Sequence, residues 1–224
     1  MTGYTLTRQH RRTVAIHIRD GGVEVRAPLK TPKRDIDRFV ASKERWIEEH
    51  LALSQANAER REAFSLNYGD TVILRNREYP VVAKAGSRAG FDGEHFHLPP
   101  GLTAEQIGSD VVRIYRGLAK THLTERAAYC AKRMNVSPSA VKVNGAKTRW
   151  GSCSAKKSLN FSWRLMMADD ALIDYVIVHE LAHITEMNHS VRFWAIVAGV
   201  FPDYRARQKQ LRDLQRRLAA EDWE

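Results

Sequence analysis

This 224-residue chain reads as an α+β protein, with a β-rich N-terminal region and a mainly helical C-terminal part. Three patterns predict it. Val14, Ile16 and Ile18 alternate with Ala15, His17 and Arg19, the period-2 mark of a strand. From Ile107 through Val111, Ile114 and Leu118 to Ala128 the apolar positions keep helical spacing instead. Residues 171–186, ALIDYVIVHELAHITE, are apolar almost all round, as in a helix buried on every side.

In chain order, the first strand leads through Asp20, Gly21 and Gly22, a turn signal, into a second strand at Val23 and Val25. A helix is expected next, with Thr31 as N-cap and Pro32 at its first position. Its Ile36, Phe39, Val40, Ile47 and Leu51 fall on one stripe, and the charged ANAERREAF finishes it or links it onward. TVILRNREYPVV and EHFHL read as further strands, divided by the glycine-containing SRAGFDGE. Thr103 and Gln106 fit a capping box that opens a long helix running to about Asn135. VKVNGAKTRW offers an Asn-Gly turn between short strands. SLNFSWRL alternates strictly, with Leu159, Phe161, Trp163 and Leu165 on one face. These elements suggest a region 1–102 holding one long helix and a region 103–224 holding the main helices, joined in one compact unit.

Lysine and arginine total 36 against 26 acidic residues, a formal net charge of +10. Such a balance favours acidic partners without choosing among nucleic acid, phosphorylated small molecules and acidic peptides. Two cysteines exclude a four-cysteine zinc ribbon and do not suggest a disulfide framework. The N-terminal stretch has no apolar signal region, and no apolar run reaches membrane-spanning length, so a cytoplasmic location and no membrane partner are expected.

Asp169 and Asp170 can cap the buried helix at 171–186. A buried helix has no reason to carry histidines and a glutamate unless they are paired or coordinated. His179 and His183 lie one turn apart on one face, and Glu180 stands beside that stripe. This is H-E-x-x-H spacing, in which two imidazoles bind zinc and the glutamate acts as general base on metal-bound water. By chance it arises in about 2% of shuffled chains of this composition. A catalytic zinc needs a third protein ligand, and His189 lies six residues past His183. Six residues reach roughly 20 Å when extended, ample for a return to the same ion. Adding that histidine lowers the chance expectation to about 0.1%. Glu186 competes for the third position from the same stripe, although so close a helical neighbour would strain tetrahedral geometry.

The run TRWGSCSAKKSLNFSWRL, followed by IDYVIVHELAHITEMNHSVRFW, resembles the YgjP-like metallopeptidase-domain family, a zincin branch related to SprT-like proteins. RWGSC, the alternating strand, H-E-L-x-H and N-H-S-x-x-F-W coincide, which is far more specific than H-E-x-x-H alone. The resemblance implies a zincin-like fold, zinc on His179, His183 and His189, and Glu180 as general base. Metzincins share the third-histidine spacing but carry a glycine where this chain has Glu186. The resemblance also implies a substrate-receiving strand beside the zinc helix, here SLNFSWRL, with Asn160, Ser162 and Arg164 lining the cleft. The same three residues suit a solvated strand face equally.

Arg149 suits either a carboxylate or phosphate clamp or a pairing with an acidic core residue. Cys153 is expected to be buried and non-ligating, because a fourth thiolate would close the site. His95 and His97 share a strand face and read as solvated. The basic RARQKQLRDLQRRL reads as a charged helix face rather than a nucleic-acid arm. Three functions compete. The first is a zinc-dependent metallopeptidase acting on peptide or unfolded protein. The second is a metal-dependent hydrolase of a nucleotide or phosphoester, with Arg149 and Arg164 as clamps. The third, a nucleic-acid-associated protease, is disfavoured because no aromatic-interleaved basic motif accompanies the charge.

Overall fold

A computed structural model describes residues 3–19, 21–86 and 88–223. Asp20, within the first turn signal, and Ser87, within SRAGFDGE, lie outside the described residues. The chain divides into two compact units. The smaller comprises residues up to Phe64 together with Ala219–Asp222, and the larger comprises Ser65–Leu218 together with Trp223.

In the smaller unit, β1 (Thr5–Gln9), β2 (Ala15–Arg19) and β3 (Gly22–Pro28) form a sheet of order β1-β3-β2. β3 pairs parallel with β1 and antiparallel with β2. The expected helix is two helices, α1 (Lys33–Ala41) and α2 (Glu44–Ala63). They part at Ser42, whose hydroxyl donates to the Phe39 carbonyl at 2.7 Å, the local competition by which serine unsettles a helix. Thr31 is not the cap; Pro32 holds that position, without a side-chain hydrogen bond. Most of the expected stripe packs: Ile36, Val40 and Ile47 join Val23, Val25 and Ala27 in the core with Leu51 against it, while Phe39 stays outside that core.

The larger unit opens with β4 (Thr71–Leu74), β5 (Arg77–Ala83), β6 (Gly90–Phe91) and β7 (Phe96–Leu98), in sheet order β4-β5-β7-β6. A boundary near residue 103 therefore falls inside a unit. The physical reason is a shared core: Val72, Leu74, Val81, Phe96 and Leu98 belong to one apolar cluster with Ile107, Tyr115, Trp163 and Val178. The β4–β5 turn is also tied to the C-terminal part, through Arg75 N–H on the Met166 carbonyl at 2.7 Å and an Arg75–Asp170 ion pair.

α3 (Ala104–Met134) carries the full capping box at Thr103 and Gln106, and ends at Asn135 in the left-handed conformation (φ 53°). β8 (Ala140–Asn144), β9 (Gly151–Cys153) and β10 (Ser158–Ser162) make a third sheet, of order β8-β10-β9. β10 pairs parallel with β8 and antiparallel with β9, so the Asn-Gly segment closes no hairpin. The alternating strand is also shorter than its pattern, because Trp163–Met167 turn into a buried 3₁₀ segment. Three helices complete the unit: α4 (Asp170–Ala182), α5 (Val191–Val200) and α6 (Tyr204–Leu218). Asp169 caps α4, accepting from Leu172 N–H at 2.7 Å. Among the described residues, no helix is long and apolar enough to cross a membrane.

Candidate metal centre and active-site cleft

α4 buries Leu172, Ile173, Val176, Ile177, Val178 and Leu181, as its all-round apolar pattern requires. His179 and Glu180 lie in its last turn, and His183 is its C-cap. The chain then reverses, and Ser190 caps α5 by accepting from Phe193 N–H at 3.2 Å. That reversal brings His189 back to α4, with its Nε2 3.0 Å from His179 Nε2. One ring nitrogen from each of His179, His183 and His189 lies within 4.8 Å of the others.

The arrangement fits a metal ion. Tetrahedral zinc, with Zn–N bonds of about 2.0–2.1 Å, holds its ligand nitrogens about 3.3 Å apart. Burial, with His183 and His189 nearby, drives His179 down to about 3, and burial also lowers His183. Both imidazoles are therefore held neutral, the form that ligates. His183 Nδ1 bonds the Glu186 carbonyl at 3.1 Å, which turns its Nε2 toward the cluster. His179 Nδ1 is buried without a hydrogen-bond partner, so ring packing rather than a hydrogen bond orients it.

Phe193 supplies much of that packing. Its fully buried ring lies 4.9, 4.5 and 4.7 Å from the rings of His179, His183 and His189. Trp194 stacks on His189 at 5.6 Å and on Tyr204 at 4.8 Å. The sequence carried this signal, an aromatic pair four and five residues after His189, but gave it no role. The Glu186 carboxylate lies outside the cluster, where Ser190 Oγ at 3.5 Å and Arg192 at 4.0 Å are its neighbours.

Glu180 is buried against β9 rather than β10, and Gly151 touches its carboxyl. Burial pushes Glu180 up to about 7, while the Arg149 charge pulls it down. β10 is paired on both sides, whereas β9 is an edge strand and packs on α4. The strand that packs on the histidine-bearing helix α4 is therefore β9 and not SLNFSWRL. Of the expected cleft residues, Ser162 is buried and donates to the Ala146 carbonyl at 2.7 Å. Arg164 is buried over the Trp163 ring and donates to the Gly145 carbonyl at 2.9 Å. Asn160 sits in the middle strand opposite Ser152. Arg149 is exposed and near enough to act on Glu180. Cys153 is half-buried and outside the histidine cluster. His97 Nδ1 is buried without a partner, so that side chain is not solvated as expected.

A cavity of about 360 Å³ opens beside Glu180 and His179. Thr148, Trp150, Gly151, Tyr175 and Val176 line it, and α6 contributes Gln208, Leu211, Arg212 and Gln215. One face of the basic helix thus borders the cavity, while Arg205, Lys209, Arg212, Arg216 and Arg217 are exposed, as a charged helix face requires.

A model of the YgjP-like family, metallopeptidase domain, matches residues 12–214. The chain belongs to this family. Membership implies a metal cofactor and peptide-bond chemistry as the family's trade. Two solved structures are similar to parts of this YgjP-like chain. The metallopeptidase zymogen of Pyrococcus abyssi abylysin is 19% identical over 40% of this chain and 90% of its own, with TM-score 0.37. The metallopeptidase zymogen of Methanocaldococcus jannaschii jannalysin is 23% identical over 42% and 94%, with TM-score 0.36. No curated protein matches the chain.

Proposed function

We propose that this YgjP-like chain is a zinc-dependent peptidase, cytoplasmic and of zincin type, with Glu180 as its general base. One observation carries the reading: three imidazoles converge from α4 and the segment after it, with a buried carboxyl from the same turn beside them. His179, His183 and His189 would hold the ion. Zinc bound there would supply Lewis acidity toward water and a carbonyl. Glu180 accepts the proton of the attacking water and passes it to the departing amine. Its burial favours the protonated form, which suits the step that returns the proton to the leaving group. The open edge of β9 holds an extended peptide by backbone pairing, which demands little of its sequence.

The test compares the zinc-loaded protein with Glu180→Gln on a denatured protein and on nucleoside triphosphates. Glutamine is nearly isosteric but cannot take the proton, so zinc content stays and proteolysis falls about 10²–10⁴-fold. Phosphate or pyrophosphate release that depends on Glu180, with the denatured protein left intact, overturns the reading in favour of a phosphoester hydrolase.

A further inference from the structure

Gln208, Leu211, Arg212 and Gln215 stand at positions i, i+3, i+4 and i+7, one face of α6, and that face borders the cavity beside Glu180 and His179. Two of the four are tied down. Gln208 hydrogen-bonds the Tyr175 hydroxyl, and Gln215 Nε2 donates to the Lys147 carbonyl at 2.6 Å. These bonds hold the helix face on both sides of Arg212. Two other arginines of α6 are held by acidic partners on the same helix or at its start: Arg207 pairs with Asp203 at 3.0 Å and Arg216 with Asp213 at 3.2 Å. Arg205 and Arg217 have no acidic partner among the described residues. Arg212 has neither a hydrogen bond nor an ion pair among the described residues, and its charge reaches Tyr175 inside the cavity.

We propose that this face is a subsite for a carboxylate, recognised by Arg212, and that the substrate carries such a group close to the cleaved bond. The proposal rests on the peptidase reading and narrows it. Among the lining residues Arg212 is the one permanent cation and Glu180 the one carboxylate. A guanidinium presents a planar fork of N–H donors that matches a carboxylate and is always charged. Val176, Leu211 and Trp150 offer apolar surface for the methylenes of an acidic side chain. The volume of about 360 Å³ suits one or two side chains rather than a folded partner. Two sources present this chemistry: an internal aspartate or glutamate, and the carboxylate at a peptide's C-terminus.

The test uses amidated peptide pairs that differ only by Glu or Gln at one position on either side of the cleaved bond. A third peptide without acidic side chains is made with a free and with an amidated C-terminus. Each is measured by cleavage with the zinc-loaded protein and by calorimetric binding to Glu180→Gln. An internal acid is the source if the Glu peptides win, and a chain end if the free C-terminus wins. The favoured member of a pair should lead by about tenfold, the size of one charge-assisted hydrogen bond. That ratio should fall toward one in Arg212→Ala and below one in Arg212→Glu. Because Arg212 is exposed, both variants are expected to fold.

Arg212-dependent preference in binding without any cleavage upholds the subsite while the peptidase reading falls. Cleavage with no preference for a carboxylate, or with a preference that survives Arg212→Ala, overturns the subsite and leaves the peptidase reading standing. Peptides neither bound nor cut overturn both.

Discussion

Gly151 on β9 packs so closely on the Glu180 side chain of α4 that a Cβ at residue 151 would force one of them to move. A Cβ at residue 151 would lie 2.7 Å from Glu180 Cγ and 2.8 Å from its Oε1. The glycine in RWGSC thus sets where the Glu180 carboxyl, the proposed general base, rests. Gly151→Ala should displace Glu180 while the three histidines keep their places, and hydrolysis should fall on the order of 10–100-fold, since small misplacements are costly. The check is kcat/KM beside zinc per chain. Full activity at full zinc content would mean that Glu180 relaxes at no cost.

The third ligand can be tested against its neighbour in sequence. His189→Ala should lower zinc affinity far more than Glu186→Gln. Glu186 supports His183 through its backbone carbonyl, which the glutamine variant retains. Competition with a chelator measures both. A larger loss in Glu186→Gln would reverse the assignment of these residues.

Arg164 is expected to matter for stability. Its guanidinium is buried and bonded to the Gly145 carbonyl in the segment that leads to Arg149. Arg164→Met keeps the apolar stem but removes the donor from a part-buried acceptor, at about 1 kcal/mol. Denaturant unfolding of the metal-free protein reads this directly. A variant as stable as the parent would mean that the carbonyl finds water instead.

The Arg75–Asp170 pair should give the fold a pH-dependent contribution. The hydrogen bond from Arg75 holds Asp170 below its ordinary value of 3.8. A depressed carboxyl stabilises the folded state above 3.8 and loses that effect as pH falls through the lower, folded value. Both side chains are about half exposed, so the contribution at neutral pH is at most about 1 kcal/mol. Asp170→Asn should therefore melt slightly below the parent at pH 7, and the gap should close in acid. A constant gap across that range would exclude the ion pair as its source.

Local pattern was sufficient where each element's signal lies within a few residues. The capping box at Thr103 and Gln106, the stripe Ile36–Val40–Ile47 and the capped α4 all form as their spacing dictates. His179 and His183 share a face because 3.6 residues make a turn, and no distant contact is needed for that. Where signals were local but competing, the structure chose differently: Ser42 split one helix into two, and Trp163–Met167 left the strand to fill the core.

What the sequence by itself determined is therefore which helix carries the paired histidines and the glutamate of the cluster, because one turn of backbone places them. Tertiary structure alone decided which strand lies against that helix, since strand order depends on contacts between segments far apart in the chain. It put β9 on the open edge and β10 in the middle, and so removed Ser162 and Arg164 from the cleft. It also set Phe193 beneath three imidazoles and turned Arg212 of a basic helix toward the cavity. A residue's neighbours on its own helix follow from spacing, but its neighbours across a cleft follow only from how separate elements pack.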